Sequence, residues 1–138
     1  MRRRTQAREF ALQILYRMDV TRDSDTVSLD NFWQLRTEDA ISVDVKNFTT
    51  EVVKGVAVHL SEIDQKITQF AANWQLSRMP AVDRNILRLG CYELIFRDDI
   101  PPKVSINEAV ELAKKYSGIE AGKFVNAILD KIKQEKNK

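Results

Sequence analysis

Apolar residues recur at three- and four-residue spacing along nearly the whole chain, which is the period of a helix and not of a strand. Between Thr5 and Asp19, the residues Ala7, Phe10, Ala11, Ile14, Leu15 and Met18 line one face, so the spacing predicts an amphipathic helix. Asp23 to Asp25 read as a loop, and Leu29, Phe32, Trp33 and Leu35 predict a short second helix. The pattern strengthens from Val43, where Val45, Phe48, Thr49, Val52, Val53, Val56, Ala57 and Leu60 follow the helical template closely. Gly55 interrupts it at a cost of ~1 kcal/mol relative to alanine, and close packing against a neighbouring helix is the expected compensation. Ser61, with Asp64 three residues on, predicts a capped start for the next helix. Ile63, Ile67, Phe70, Ala71 and Trp74 give that helix its buried stripe.

The stretch QLSRMP breaks the period, and Pro80 suits the first turn of the helix that follows. AVDRNILRLGCYELIF carries Val82, Ile86, Leu87, Leu89, Cys91, Leu94 and Ile95 on most of its sides, the mark of a central, covered helix. DDIPP ends it, because proline clashes with the preceding turn. Ser105 and Glu108 form a capping-box pattern at the head of the next helix, and Gly118 suits its C-terminal cap. Phe124, Val125, Ile128, Leu129 and Ile132 mark a last helix, with KIKQEKNK (131–138) expected as a frayed, solvated tail that is basic over 134–138. The reading is an all-α fold of six or seven helices in one domain, 1–138. Its halves are about 1–77 and 78–133, meeting near Arg78 to Pro80.

Composition agrees: four glycines and three prolines among 138 residues favour helices over hairpins. A net charge of +2 does not by itself point to nucleic acid, but its distribution is uneven. Residues 1–18 hold five arginines against Glu9 alone, whereas residues 19–51 hold eight acids against Arg22, Arg36 and Lys46. Cys91 is the single cysteine, so no disulfide can form within the chain, and a reducing compartment is expected. No run of ~18 apolar residues predicts a membrane span. Gln13 and Arg17 interrupt what would otherwise resemble a signal peptide. A mitochondrial presequence would share the Arg-rich amphipathic start, but here that segment reads as part of the fold.

Catalytic chemistry finds little support. His59 is the single histidine, too few for a zinc site with Cys91. Cys91 lies in an apolar helix and reads as an inert core thiol. Asp98 and Asp99 stand beside a turn, and no phosphate loop or nucleophile elbow occurs. No enzyme, metal or cofactor is expected.

The basic start carries the functional reading. Arg4, Arg8, Leu12 and Tyr16 stand four apart and form one row along the first helix. That row drifts from the apolar face, so Tyr16 is expected to be partly exposed. Guanidinium groups pair with phosphates, and a tyrosine ring stacks on unpaired bases. Single-stranded nucleic acid is one reading; an acidic protein partner and an anionic lipid surface are the others. Lys114, Lys115 and Lys123 form a second, weaker basic region, since lysine at a helix end also serves the dipole.

Three stretches, RRRTQAREFALQILYRMD, AVDRNILRLGCYELIF and IPPKVSINEAVELAKKYSGIEAGKFVNAILDKI, together resemble the NusB family of bacterial transcription antitermination factors. The similarity spans nearly the whole chain and is weakest over residues 20–43. It implies two helical sub-bundles, a cytoplasmic location, and binding to the boxA element of nascent RNA jointly with NusE, a small-subunit ribosomal protein. NusA, NusG and RNA polymerase are implied as indirect partners on ribosomal RNA operons, without catalysis. Carried over by position, the resemblance implies RNA contacts at Arg2, Arg3, Arg4, Arg8, Tyr16, Lys123 and Phe124. It implies partner contacts at Asp83 and Glu120. Asn107, Glu108 and Asn126 belong to the family signature. Glu108 is expected to cap its helix, and the asparagines to satisfy buried backbone groups. Two positions depart from the pattern: Thr5-Gln6 interrupts the basic run, and Ala127 stands where glycine is common. The alternatives are a helical protein-interaction module, as a homodimer or binding NusE without specific RNA, and the RNA-binding domain of a ribosomal RNA methyltransferase.

Overall fold

The computed structural model describes residues 3–22, 27–34 and 41–136. Among them the chain forms α1 (Arg3–Thr21), α2 (Val27–Gln34), α3 (Val43–Val58), α4 (Leu60–Phe70), α5 (Ala81–Phe96), α6 (Pro102–Ser117) and α7 (Ile119–Lys136), with a 3-10 turn at Leu76–Arg78. No strand occurs among the described residues. Arg2, the expected loop at Asp23 to Asp25, and Leu35 lie outside them.

The apolar faces read from the sequence meet in one core. Ala7, Phe10, Ala11, Ile14, Leu15 and Met18 of α1 are buried, as are Val45, Phe48, Val52, Val53 and Val56 of α3. Helix α5 is covered on most sides and packs against α1, α3, α4, α6 and α7, which is why its apolar residues show no single stripe. Phe10, Phe32 and Trp33 meet edge to face with ring centroids 5.0–5.6 Å apart and hold α2 on α1. Gly55 has the expected reason: a Cβ there would stand 2.3 Å from the Tyr92 ring of α5. Gly118 ends α6 with φ 102°, where side-chain-bearing residues are strained, and its N–H donates to Ala113 O and Lys114 O. Burial raises the Cys91 thiol to about 12, so it stays protonated and inert.

Polar residues cross the core where the sequence pattern predicted caps or solvent. Arg8 was expected on the outer side of α1, yet it is only 2% exposed. Its Nε donates to Glu93 Oε2 at 2.8 Å and its Nη2 to Glu93 Oε1 at 2.7 Å. Ser105 Oγ donates to the same Glu93 Oε1 at 2.9 Å, and Thr5 Oγ1 donates to Glu108 Oε1 at 2.7 Å. The expected Ser105–Glu108 capping box is therefore absent: α6 begins three residues earlier at Pro102, so both side chains lie within the helix and face α1 and α5. Ser61 likewise does not cap α4, which starts at Leu60 without a side-chain cap. Asp64 instead accepts two hydrogen bonds from Arg88 at 2.8 and 2.9 Å. Asn107 and Asn126 are exposed and satisfy no buried backbone. Trp74 is not part of a buried stripe, because α4 stops at Phe70 and the indole is 58% exposed. The tail is not frayed at residues 131–136: α7 runs to Lys136, whose Nζ donates to Leu94 O at 2.6 Å and Asp98 Oδ1 at 2.8 Å.

The Arg8 pair predicts a large stability effect. Arg8→Ala would leave Glu93 buried without its partner, at a cost of about 3–5 kcal/mol. Replacing both partners with apolar residues, Arg8→Met with Glu93→Leu, should recover most of that loss. Urea unfolding of the two variants checks this; an Arg8→Ala midpoint equal to that of the native chain would show that the pair is dispensable.

Candidate nucleic-acid interface

Two registers fix where the expected site residues stand. Thr5 and Glu9 of α1 bond to Glu108 and Lys115 of α6, so the two helices run in the same direction. Arg8 bonds to Glu93, whereas Asp19 bonds to Arg84 and Asn85, so α1 and α5 run in opposite directions. On the helical wheel Tyr16 falls between Thr5 and Glu9, on the edge of α1 that faces α6. It stands seven residues, or ~10 Å, beyond Glu9. Lys115 is already near the end of α6 at Ser117, so Tyr16 reaches the level of the α6–α7 junction. The start of α5 comes to the same end of the molecule, bringing Asp83 with it.

This end therefore gathers Tyr16, Asp83, Glu120, Lys123 and Phe124. Tyr16 is 41% exposed, as its place on the wheel predicts. Lys123 and Glu120 are exposed and form an i,i+3 pair at 3.5 Å, a weak surface contact open to competition from another anion. Phe124 is half-buried, and its ring meets Trp74 edge to face at 5.9 Å. Trp74 belongs to this end although the sequence pattern assigned it to the core. The sequence carries no signal for this, because no proline or glycine between Phe70 and Trp74 marks the end of α4. Asp83 is buried, with an Oδ1 that lacks a hydrogen-bond partner, so it does not present an open carboxylate as a surface contact would.

Arg3 and Arg4 stand at the opposite end of α1. Arg4 is ~18 Å from Tyr16 along the axis. Arg3 is exposed and pairs with Asp44 at 3.0 Å. The Arg4 guanidinium lies over the Phe48 ring at 4.6 Å, and those of Arg8 and Arg97 approach the same ring at 5.3 Å. Arg97 is itself held by Asp99 at 2.9 Å and Glu51 at 3.3 Å. The row Arg4, Arg8, Leu12, Tyr16 is thus exposed only at its two ends, since Arg8 and Leu12 are buried. The bond from Thr5 to Glu108 accounts for a hydroxyl within the basic run: a long cation there would have to fit beside the Arg8 guanidinium.

Among the described residues no group of three His, Cys, Asp or Glu side chains could hold a metal ion. No helix among them is long and apolar enough to cross a membrane.

The NusB family profile matches residues 5–134. The chain belongs to the NusB family. A NusB transcription antitermination protein of Myxococcus xanthus is 45% identical over 137 residues, covering 99% of this chain and 97% of the relative. One of Thermodesulfovibrio yellowstonii is 39% identical over 141 residues, covering 96% and 93%. These relatives are nearly matched end to end, and they are antitermination proteins, not enzymes. Solved structures agree with the fold. Thermotoga maritima NusB superposes with a TM-score of 0.85 at 36% identity, covering 98% of this chain and 92% of that one. A chain in a crystal structure of NusB and NusE with double-stranded RNA gives 0.84 at 32% identity, covering 98% of each. A chain in a crystal structure of a plectonemic RNA supercoil gives 0.88 at 33% identity, covering 99% and 98%.

Asp19 ties the C-terminal part of α1 to the start of α5 through Arg84, Asn85 and Arg88. Burial alone would raise its carboxyl, but hydrogen bonds from Arg84 and Asn85 and the charges of Arg88 and Arg84 hold it below its ordinary value of 3.8. The folded chain thus binds this proton less readily than the unfolded one. The contribution is complete above about pH 4 and is lost as pH falls through the lowered folded-state value. Asp19→Asn should lower the urea midpoint at pH 7 and flatten its decline toward acid. A midpoint that falls equally steeply in the variant would remove Asp19 from the acid transition.

Proposed function

We propose that this chain is a transcription antitermination factor that binds unpaired boxA-type RNA jointly with NusE. In this reading it acts in the cytoplasm on ribosomal RNA operons, with NusA, NusG and RNA polymerase as indirect partners. The observation that carries the reading is the exposure of Tyr16 toward the end of the molecule where α7 begins with Lys123 and Phe124, while Arg3 and Arg4 are exposed at the other end of α1. An aromatic ring and a cation serve a base and a phosphate respectively. A solved NusB–NusE assembly carries double-stranded RNA. Open aromatic rings favour unpaired bases here, because a base within a duplex already has stacking neighbours on both faces.

Within this reading Arg4, Arg3 and Lys123 supply phosphate contacts, Arg2 adds to them from outside the described residues, and Tyr16 and Phe124 supply stacking. Arg8 is withdrawn from the contact set, since its donors are spent on Glu93. Glu120 offers an exposed carboxylate to a basic ribosomal protein. Asp83 is withdrawn from the partner contacts, because its carboxylate is buried in the chain's own packing.

Titration of labelled boxA-type and scrambled single-stranded RNA, with and without NusE, tests the reading. Tighter binding of the boxA-type strand, strengthened by NusE, is the expected result. Equal binding of both strands would reduce the chain to a general polyanion binder, and gel filtration would then show whether a homodimer covers the basic face. Arg4→Ala should lower the salt slope of binding by about 0.7. Arg8→Ala, at a temperature where it remains folded, should leave that slope unchanged. Tyr16→Ala should weaken binding with the slope preserved.

A further inference from the structure

We infer that Trp74 is a second base-stacking residue, paired with Phe124 to form an aromatic corner that takes an unpaired base of the bound RNA. The inference rests on the RNA-binding reading and adds a residue to it.

An indole that is 58% exposed is an unusual use of the largest apolar side chain. The backbone that carries it is held firmly. The Trp74 N–H donates to Ala71 O at 3.0 Å, the following 3-10 turn spans Leu76–Arg78, and Arg84 Nη1 donates to the carbonyls of Leu76 and Met79 at 3.0 and 3.1 Å. The ring is therefore presented by a braced segment. Its edge-to-face contact with Phe124, at 5.9 Å and 73° between planes, covers one side and leaves the rest open.

Two neighbours favour a nucleotide as the occupant. Lys123 immediately precedes Phe124 and is exposed, so a cation stands beside the aromatic corner. Tyr16 is exposed at the same end of the molecule. An open ring beside a cation matches a base and its neighbouring phosphate, and Tyr16 offers a further ring toward the same end. A pocket for an apolar peptide would need a wider apolar surround, and Lys123 and Glu120 interrupt one here.

Trp74 can report directly on its own environment. In a Trp33→Phe variant it is the single tryptophan, and Trp33 lies apart in the cluster with Phe10 and Phe32. Its fluorescence should be quenched by single-stranded boxA-type RNA and not by an abasic ribose-phosphate strand of equal length. If that variant does not fold, the difference in quenching between the native chain and Trp74→Phe reports the same ring. Trp74→Ala should weaken binding of the base-bearing strand by about five- to a hundredfold. Its affinity for the abasic strand, and its urea midpoint, should stay unchanged. If anisotropy of labelled RNA shows binding while Trp74 is not quenched and Trp74→Ala binds as tightly as the native chain, the stacking role is refuted and the RNA reading stands. If the native chain binds no RNA, both fall. Quenching by NusE alone, or an equal loss of affinity for both strands in Trp74→Ala, would assign the ring to a protein contact or to packing instead.

Discussion

A guanidinium sealed from water must find a carboxylate or it cannot stay charged at an acceptable cost, and the pair formed by Arg8 and Glu93 sets the arrangement around it. The two side chains are 2% and 1% exposed and joined by two short hydrogen bonds. Such fork-to-fork contacts fix orientation as well as distance. Because Ser105 and Glu108 join from α6, the network sets the rotation of α1 against both α5 and α6. Apolar packing alone tolerates small rotations of a helix; a bidentate pair within the core does not. The side chains that α1 turns outward are chosen by that constraint.

The charges along the chain are consequently divided between structural and available roles. Arg84 and Arg88 are spent on Asp19 and Asp64, Arg97 on Asp99 and Glu51, and Lys115 on Glu9. The acids that follow the basic start in sequence do not simply repel or neutralise it from a distance: Asp44 and Glu51 return in α3 to lie beside Arg3 and Arg97. The pair of Arg3 with Asp44 is exposed on both sides and is the kind of contact that salt or a phosphate readily replaces.

Much of the fold was legible because helical period and burial are the same information. The faces of α1, α3, α5 and α7 follow from spacing alone, and Gly55 and Gly118 signalled a close approach and a helix end that are both present. Cap patterns were less informative. Ser61 and Ser105 each precede an acid by three residues, but both acids have stronger partners in arginines distant in sequence. A local pattern cannot reveal a long-range charge. The same limit hid Arg8, whose burial follows from Glu93 some 85 positions away. Of the site, the exposed Tyr16 could be read from the wheel, whereas Trp74 could not, because the end of α4 at Phe70 carries no proline or glycine to announce it.

Placing the ionic network inside the core has a consequence for binding. Arg4 and Tyr16 belong to the same helix, about 18 Å apart along its axis, and α1 is held against rotation between them. A flexible arm of arginines would have to be ordered by its ligand, at an entropic cost on every association. Here the separation and facing of the two exposed ends of the row are set before any strand arrives. A ligand that engaged both would have to match that fixed spacing and facing, which the buried Arg8–Glu93 pair sets.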